Sequence, residues 1–166
     1  MNLGTTKEAD NMRTILVPVD GSECSGRAVD EAIKRAKASE KLELHVLNVQ
    51  PRIFPEEATV YLDPSRMDTY YYEQGSKALA PAEKRLKSAG IAYSTHRVTG
   101  AVAESIIKKA REVRADEILM GTHGHGQLAS ILLGSVATKV LHMSEVPVTL
   151  VRGAPPVDYS GRLQAT

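Results

Sequence analysis

Gly121-Thr122-His123-Gly124-His125-Gly126, then Gln127 to Leu133, then Gly134-Ser135, is the stretch on which the reading of this 166-residue chain turns. It follows a short run, Glu117 to Met120, that is apolar after its first residue, and it leads into a helical pattern beginning at Ser135. Glycine admits positive φ and carries no β-carbon, so backbone N–H groups in such a segment can close on an anion. Ser135 adds a hydroxyl, and the first N–H groups of the helix behind it add the positive end of a helix dipole. A strand, a glycine-spaced loop and a helix in that order suit phosphate oxygens; the spacing alone equally suits a surface loop with glycines at tight turns. It is not a Walker loop, because no Gly-Lys-Ser or Gly-Lys-Thr follows. Nor is it the dinucleotide fingerprint, which opens a helix after the first strand.

Working outward, short β-branched runs alternate with stretches of helical period, the pattern of a parallel sheet with crossover helices. Strands are predicted over Thr14 to Val19, Leu42 to Val49, Ala92 to Val98, Glu117 to Met120 and Val146 to Arg152. The first ends in Asp20-Gly21-Ser22, after which Ala28, Val29, Ala32, Ile33 and Ala36 fall on one helical face. Gln50 to Met67 reads as a long loop. The next helix has to accommodate Pro81 by a kink or a late start, and Gly90 ends it. After Gly100 a helix places Val102, Ile106, Ala110 and Val113 on one stripe, and a shorter one runs from Ser135 to about His142. About four helices and five strands predict a doubly wound α/β domain over 13–153, with tails at 1–12 and 154–166. In such a sheet ligands bind beyond the carboxyl ends of the strands where strand order reverses. Asp20 and Gly121 both stand at strand ends.

Composition narrows the function classes. Acids and bases nearly cancel at a formal net charge of +1, which gives no overall field to attract nucleic acid or an anionic membrane. Cys24 is the only cysteine, which rules out an internal disulfide and suits a reducing compartment. The opening Met1 to Met12 is polar and lacks the apolar stretch of a secretory signal, and no run of about 18 apolar residues predicts a membrane span. The expectation is a cytoplasmic protein whose anion binding is local.

The spacing Gly121-x-x-Gly124, nine residues, Gly134-Ser135 resembles the nucleotide-binding signature of the universal stress protein family, in its ATP-binding branch. The likeness extends along the chain: Ile15-Leu16-Val17-Pro18-Val19-Asp20-Gly21-Ser22 resembles the first strand and turn of that family. Ala115-Asp116-Glu117-Ile118-Leu119-Met120-Gly121-Thr122 resembles its fourth strand, and Leu132-Leu133-Gly134-Ser135-Val136 with Val146-Pro147-Val148 its closing section. The resemblance implies a five-stranded parallel sheet in the order 3-2-1-4-5, of the adenine nucleotide α-hydrolase-like kind. It also implies ATP as ligand, with Pro18, Val19 and Asp20 lining the adenosine end and Asp20 near the ribose or a bound Mg2+. Val46 would pack against adenine. Met120, Gly121 and Gly124 would border the ribose and first phosphates, and Gly134, Ser135 and Val136 would hold the outer phosphates. A homodimer joined through the last strand, Val146 to Arg152, is implied as well.

Other readings of these residues stay open at this point. Asp20 stands where it could cap the first helix, since Glu23 follows at capping-box spacing. His123 and His125 suit solvated loop positions as well as phosphate contacts, Glu104 and Ser105 suit a helix surface, and Tyr70-Tyr71-Tyr72 suit packing ahead of a helix. Three functions are compatible: a nucleotide-binding regulatory protein of the stress response, a slow ATP hydrolase, or a structural dimer with an empty site. Efficient phosphoryl transfer needs cationic donors, and the stretch from Gly121 to Ser135 offers neither lysine nor arginine.

Overall fold

The computed structural model describes residues 12–38, 41–53, 63–124 and 133–152. Along the chain run β1 (Arg13–Pro18), α1 (Glu23–Ala38), β2 (Leu42–Gln50), α2 (Pro64–Ala89), β3 (Ser94–Thr99), α3 (Val102–Glu112), β4 (Glu117–Gly121), α4 (Ser135–Met143) and β5 (Val148–Val151). The sheet is parallel throughout, in the expected order β3-β2-β1-β4-β5. Strand order therefore reverses between β1, which leads to Asp20, and β4, which ends at Gly121.

Alternation along the strands divides the core in two. Ile15, Val17, Val46 and Leu119 pack with Ala28, Val29 and Ala32 of α1 and Leu79, Ala82 and Leu86 of α2. On the other face Leu16, Leu47, Ile118 and Met120 pack with Ala103, Ile106, Ile107 and Ala110 of α3 and Ala137 and Val140 of α4. A sheet covered on both faces explains the near-continuous apolar runs of β1 and β4.

The structure moves several sequence-based boundaries. The loop expected to reach Met67 ends at Asp63, and α2 starts at Pro64, where the missing N–H of proline is no loss. Asp63 caps that start by accepting the Ser65 N–H at 3.0 Å. Tyr70, Tyr71 and Tyr72 therefore lie within α2 rather than ahead of it. Pro81 neither delays nor ends the helix, which runs on to Ala89 and closes on Gly90 at φ +69°. Flanking Leu79, Ala82 and Leu86, all buried against the sheet, hold both halves in place. β3 starts at Ser94 and β5 is confined to Val148–Val151, shorter than expected at both ends. The tails at 1–11 and 153–166, residues 54–62 of the long loop, and His125 and Gly126 in the glycine stretch lie outside the described residues. Among the described residues no helix is long and apolar enough to cross a membrane.

One buried acid ties the sheet together at the other end from the glycine segment. Glu117, the first residue of β4, is 2 % exposed and meets the guanidinium groups of Arg13 at 2.6 Å and Arg35 at 2.8 Å. Thr149 of β5 also donates its hydroxyl to it.

Candidate functional site

At the carboxyl end of the sheet, on the face covered by α3 and α4, lies a cavity of about 610 Å³. Pro18, Val19 and Asp20 enter it from the end of β1, and Met120 and Gly121, followed by Thr122 to Gly124, from the end of β4. Gly134, Ser135, Val136 and Ala137 form its third side. Of the residues expected at the site, all but Val46 stand in this wall.

The backbone explains why β1 opens where it does. The Val19 N–H donates to the Leu47 carbonyl at 2.8 Å, and the Val19 carbonyl accepts the Asn48 side-chain amide at 2.8 Å. Beyond that pair the chain leaves the sheet. Asp20 accepts the Ser22 N–H at 2.9 Å through Oδ1, and Gly21 takes φ +84°, completing a tight turn. The helix cap behind it belongs to Ser22, whose hydroxyl accepts the Ser25 N–H at 3.2 Å. Asp20 is thus not the cap of α1, and its side chain stands at the cavity.

Close approaches fix the glycines. A β-carbon on Gly124 would fall 2.3 Å from Asp20 Oδ2, so the carboxylate rests directly against that glycine. At Gly121 the added atom would meet the Cys24 backbone and sulfur at 2.9 Å, where the end of β4 lies on the first turn of α1. Gly134 donates its N–H to the Thr122 carbonyl at 2.8 Å, and a β-carbon added there would crowd the same oxygen at 3.1 Å. That contact places the start of α4 beside the end of β4. Gly134 has no side chain to cap α4, so the N–H groups of Ser135, Val136 and Ala137 have no acceptor on their own helix. All three residues line the cavity.

Apart from Ser25 of α1, the remaining wall is aliphatic: Leu47 and Val49 of β2, Val102 and Ile106 of α3, and Leu133. Val46, expected against adenine, is 1 % exposed and belongs to the opposite core, between α1 and α2. Strand side chains alternate, so its neighbours Leu47 and, two residues on, Val49 reach the cavity face in its place. Their parity relative to Val46 was readable in the sequence, as was the stripe bearing Val102 and Ile106; the direction in which each faced the site was not. His123 lines the cavity with Nδ1 2.9 Å from the Thr122 hydroxyl. Glu104, Ser105 and the three tyrosines do not line it; Tyr71 instead accepts the Ile53 N–H at 3.1 Å, and Tyr72 lies under the Arg97 guanidinium at 5.0 Å.

Fold and site together define a doubly wound α/β protein whose cavity, at the point of strand-order reversal, pairs an uncapped helix start with apolar walls. The chain belongs to the universal stress protein family, whose family model it matches over residues 11–152. It is 34% identical over 143 residues to universal stress protein MJ0531 of Methanocaldococcus jannaschii, covering 84% of this chain and 82% of that one. Universal stress protein YxiE of Bacillus subtilis is 31% identical over 145 residues, covering 83% and 97%. Among solved structures, protein MJ0577 of Methanocaldococcus jannaschii superposes with a TM-score of 0.72 at 30% identity, over 85% of this chain and 96% of that one. A universal stress protein crystallised in complex with cAMP superposes with a TM-score of 0.62 at 30% identity, over 84% and 96%.

Proposed function

We propose that this chain is an ATP-binding universal stress protein that acts as a nucleotide-dependent regulator of the stress response in the cytoplasm. The observation that carries the reading is the start of α4, whose uncapped N–H groups open onto a cavity large enough for a nucleotide. A phosphate at Ser135 and Val136 accepts those donors and meets the positive end of the helix. The base then lies along Leu47, Val49, Val102 and Ile106, and the ribose near Asp20 and Gly121. The 30%-identical neighbour in complex with cAMP supports an adenine nucleotide as the ligand class. Bound ATP would supply a ligand whose charge and contacts differ from those of its hydrolysis products, which is what a nucleotide-responsive state requires.

Mg2+ fits as a companion of the phosphates rather than as a separate site. Among the described residues no three His, Cys, Asp or Glu side chains converge on one point, and Mg2+ ordinarily takes one or two carboxylates together with phosphate oxygens and water. Asp20 is the carboxylate placed to serve.

Nucleotide-free protein titrated calorimetrically with ATP, AMP, cAMP and GTP tests the reading. Saturable binding of the adenine ligands, accompanied by a raised unfolding temperature, is expected. Failure of every adenine nucleotide to bind would sink it.

The proposal includes a homodimer formed through the last strand, Val146 to Arg152. β5 is an edge of the sheet, with Ile118 donating to the Pro147 carbonyl and Thr122 to the Val151 carbonyl. Backbone groups alternate in direction, so those of Val148 and Leu150 point outward and can pair with a second chain. Sedimentation equilibrium is expected to give twice the chain mass, and Leu150→Pro, which removes one outward N–H, the single-chain mass. An unaltered dimer in that variant would exclude this edge as the contact.

A further inference from the structure

Along β2 the residues that face α1 and α2 are Leu44, Val46 and then Asn48, a polar side chain 2 % exposed where the alternation calls for a third apolar one. An amide is poorly suited to a strand and costs free energy to bury without partners, so its place there needs a reason. Its bonds supply one. Nδ2 donates to the Val19 carbonyl at 2.8 Å, and Oδ1 accepts the Gln50 side-chain amide at 2.8 Å. A main-chain carbonyl only accepts, so the NH2 group has to face Val19 and the oxygen Gln50. Gly75 of α2 lies over the amide, where an added β-carbon would stand 3.4 Å from Asn48 Oδ1. That cover keeps water from replacing either bond.

The bond to Val19 falls where β1 and β2 part. Their register ends at the pair Pro18 and Leu47, and Val19 adds one last main-chain bond to Leu47, whereas β2 stays paired with β3 as far as Gln50. In a parallel ladder that ran on, the Val19 carbonyl would accept the next N–H of β2 on that side, two residues past Leu47. Here the Asn48 amide donates to it. Pro18, Val19 and Asp20 line one side of the cavity, and Leu47 and Val49 another. The opening between those two sides is therefore set in part by a bond made on the other face of the sheet.

Resting on the reading of this cavity as an adenine-nucleotide site, we infer that Asn48 is a positioning residue for it: its amide fixes where β1 leaves β2, and so the width of the slot that receives the adenosine part of the ligand. Asn48 itself touches no ligand. Without its donor the buried Val19 carbonyl is either left unpaired or drawn onto β2, and each outcome moves Pro18, Val19 and Asp20 relative to Leu47 and Val49. The start of α4, held beside the end of β4 by the bond from Gly134 to Thr122, keeps its place. The loss is therefore common to cAMP, AMP and ATP, which share adenosine and differ in their phosphates.

Calorimetric affinities of nucleotide-free, full-length wild type and variants for cAMP, AMP and ATP, measured from about pH 5.5 to 9, test this. Asn48→Asp keeps the shape of the side chain. Its protonated carboxyl can donate to Val19, whereas the ionised form sets oxygen against oxygen, and burial raises the pH at which it ionises. This variant is expected to bind all three ligands with near wild-type affinity at the acid end and about tenfold more weakly once ionised. Asn48→Leu, which offers no donor, is expected to show that loss at every pH. Gln50→Ala, at the partly exposed end of β2, is expected to fold as wild type and to show a smaller loss, because Asn48 Oδ1 then lacks the donor that orients the amide. A purely structural amide would lower the unfolding temperature and leave the affinity of the folded variants at the wild-type value throughout. That result, or a loss confined to ATP, would overturn the role of Asn48 while leaving the nucleotide site standing. Failure of the wild type to bind any of the three would remove the site itself, and this inference with it.

Discussion

Gly124→Val is expected to weaken adenine-nucleotide binding by about a hundredfold, equivalent to roughly 2.8 kcal/mol, while the protein remains folded. The added β-carbon would start 2.3 Å from Asp20 Oδ2, far inside contact distance. Asp20 has little freedom to retreat, because its other oxygen holds the Ser22 N–H in the turn at Gly21. Relief comes either from swinging the carboxylate away from the mouth or from moving the backbone at Gly124 away from β1. Each route changes the opening between the ends of β1 and β4 while leaving the two buried cores, which Gly124 does not enter, as they were. Circular dichroism and thermal unfolding close to wild type, together with a lost calorimetric signal, are the expected pair of results. Wild-type affinity in this variant would mean that the ligand does not use the part of the cavity that Asp20 and Gly124 border.

The second large effect is on stability. Glu117→Ala is expected to destabilise the fold by about 3 kcal/mol, read as a lower urea midpoint at neutral pH. The substitution leaves Arg35 and Arg13 without their shared acid and Thr149 without its acceptor. Arg13 is 58% exposed, so water takes over part of its solvation and keeps the loss at the lower end for a broken buried pair. Burial pushes the Glu117 carboxyl up, but the Thr149 hydroxyl and the guanidinium groups of Arg35 and Arg13 outweigh it and hold the group below its usual 4.5. Between the lowered folded value and the unfolded one, the unfolded chain binds more protons, so stability rises with pH. The contribution is complete above the unfolded pKa and is lost as pH falls through the folded one. Glu117→Gln is expected to flatten that acid slope.

His96 adds a separate slope at higher pH. Burial, helped by Lys109 and by His45 at 2.9 Å, keeps its pKa below 6.5 against the opposing pull of Glu112, so acidification must charge a ring that the fold keeps neutral. Stability from this group is lost as pH falls below the unfolded value near 6.5, and Glu117→Gln is expected to retain that loss. Urea midpoints from pH 7.5 to 3.5 separate the two groups, and an acid slope unchanged in Glu117→Gln would show that the buried network does not carry it.

How far the site was legible depends on what each residue contributes. Gly121, Gly124, Gly134 and Ser135 were readable as cavity-lining positions because residue type and spacing already express where the chain can approach closely. Val46 came to the adenine position through the resemblance alone, and because a strand buried on both faces gives every residue an apolar neighbour, hydrophobicity gave no sign that its side chain turns to the core between α1 and α2. Pro81 misled in a similar way. Its effect on an isolated helix is local, whereas buried Leu79, Ala82 and Leu86 hold α2 against the sheet on both sides of the ring.

The sequence by itself determined the alternation of strands and helices, the resemblance that implied the strand order, and the glycine-spaced positions Gly121, Gly124 and Gly134 that line the cavity. These are properties of period, residue size and local backbone freedom, which neighbouring residues set between themselves. Tertiary structure decided that Leu47 and Val49, not Val46, face the cavity, that Ser22 rather than Asp20 caps α1, and that Asp20 rests on Gly124, 104 positions away. The first and last of these depend on contacts between segments remote in sequence, whose geometry exists only once the sheet has assembled and both of its faces are covered; the Ser22 cap is a local choice, three residues in span, that the sequence left open between two candidates.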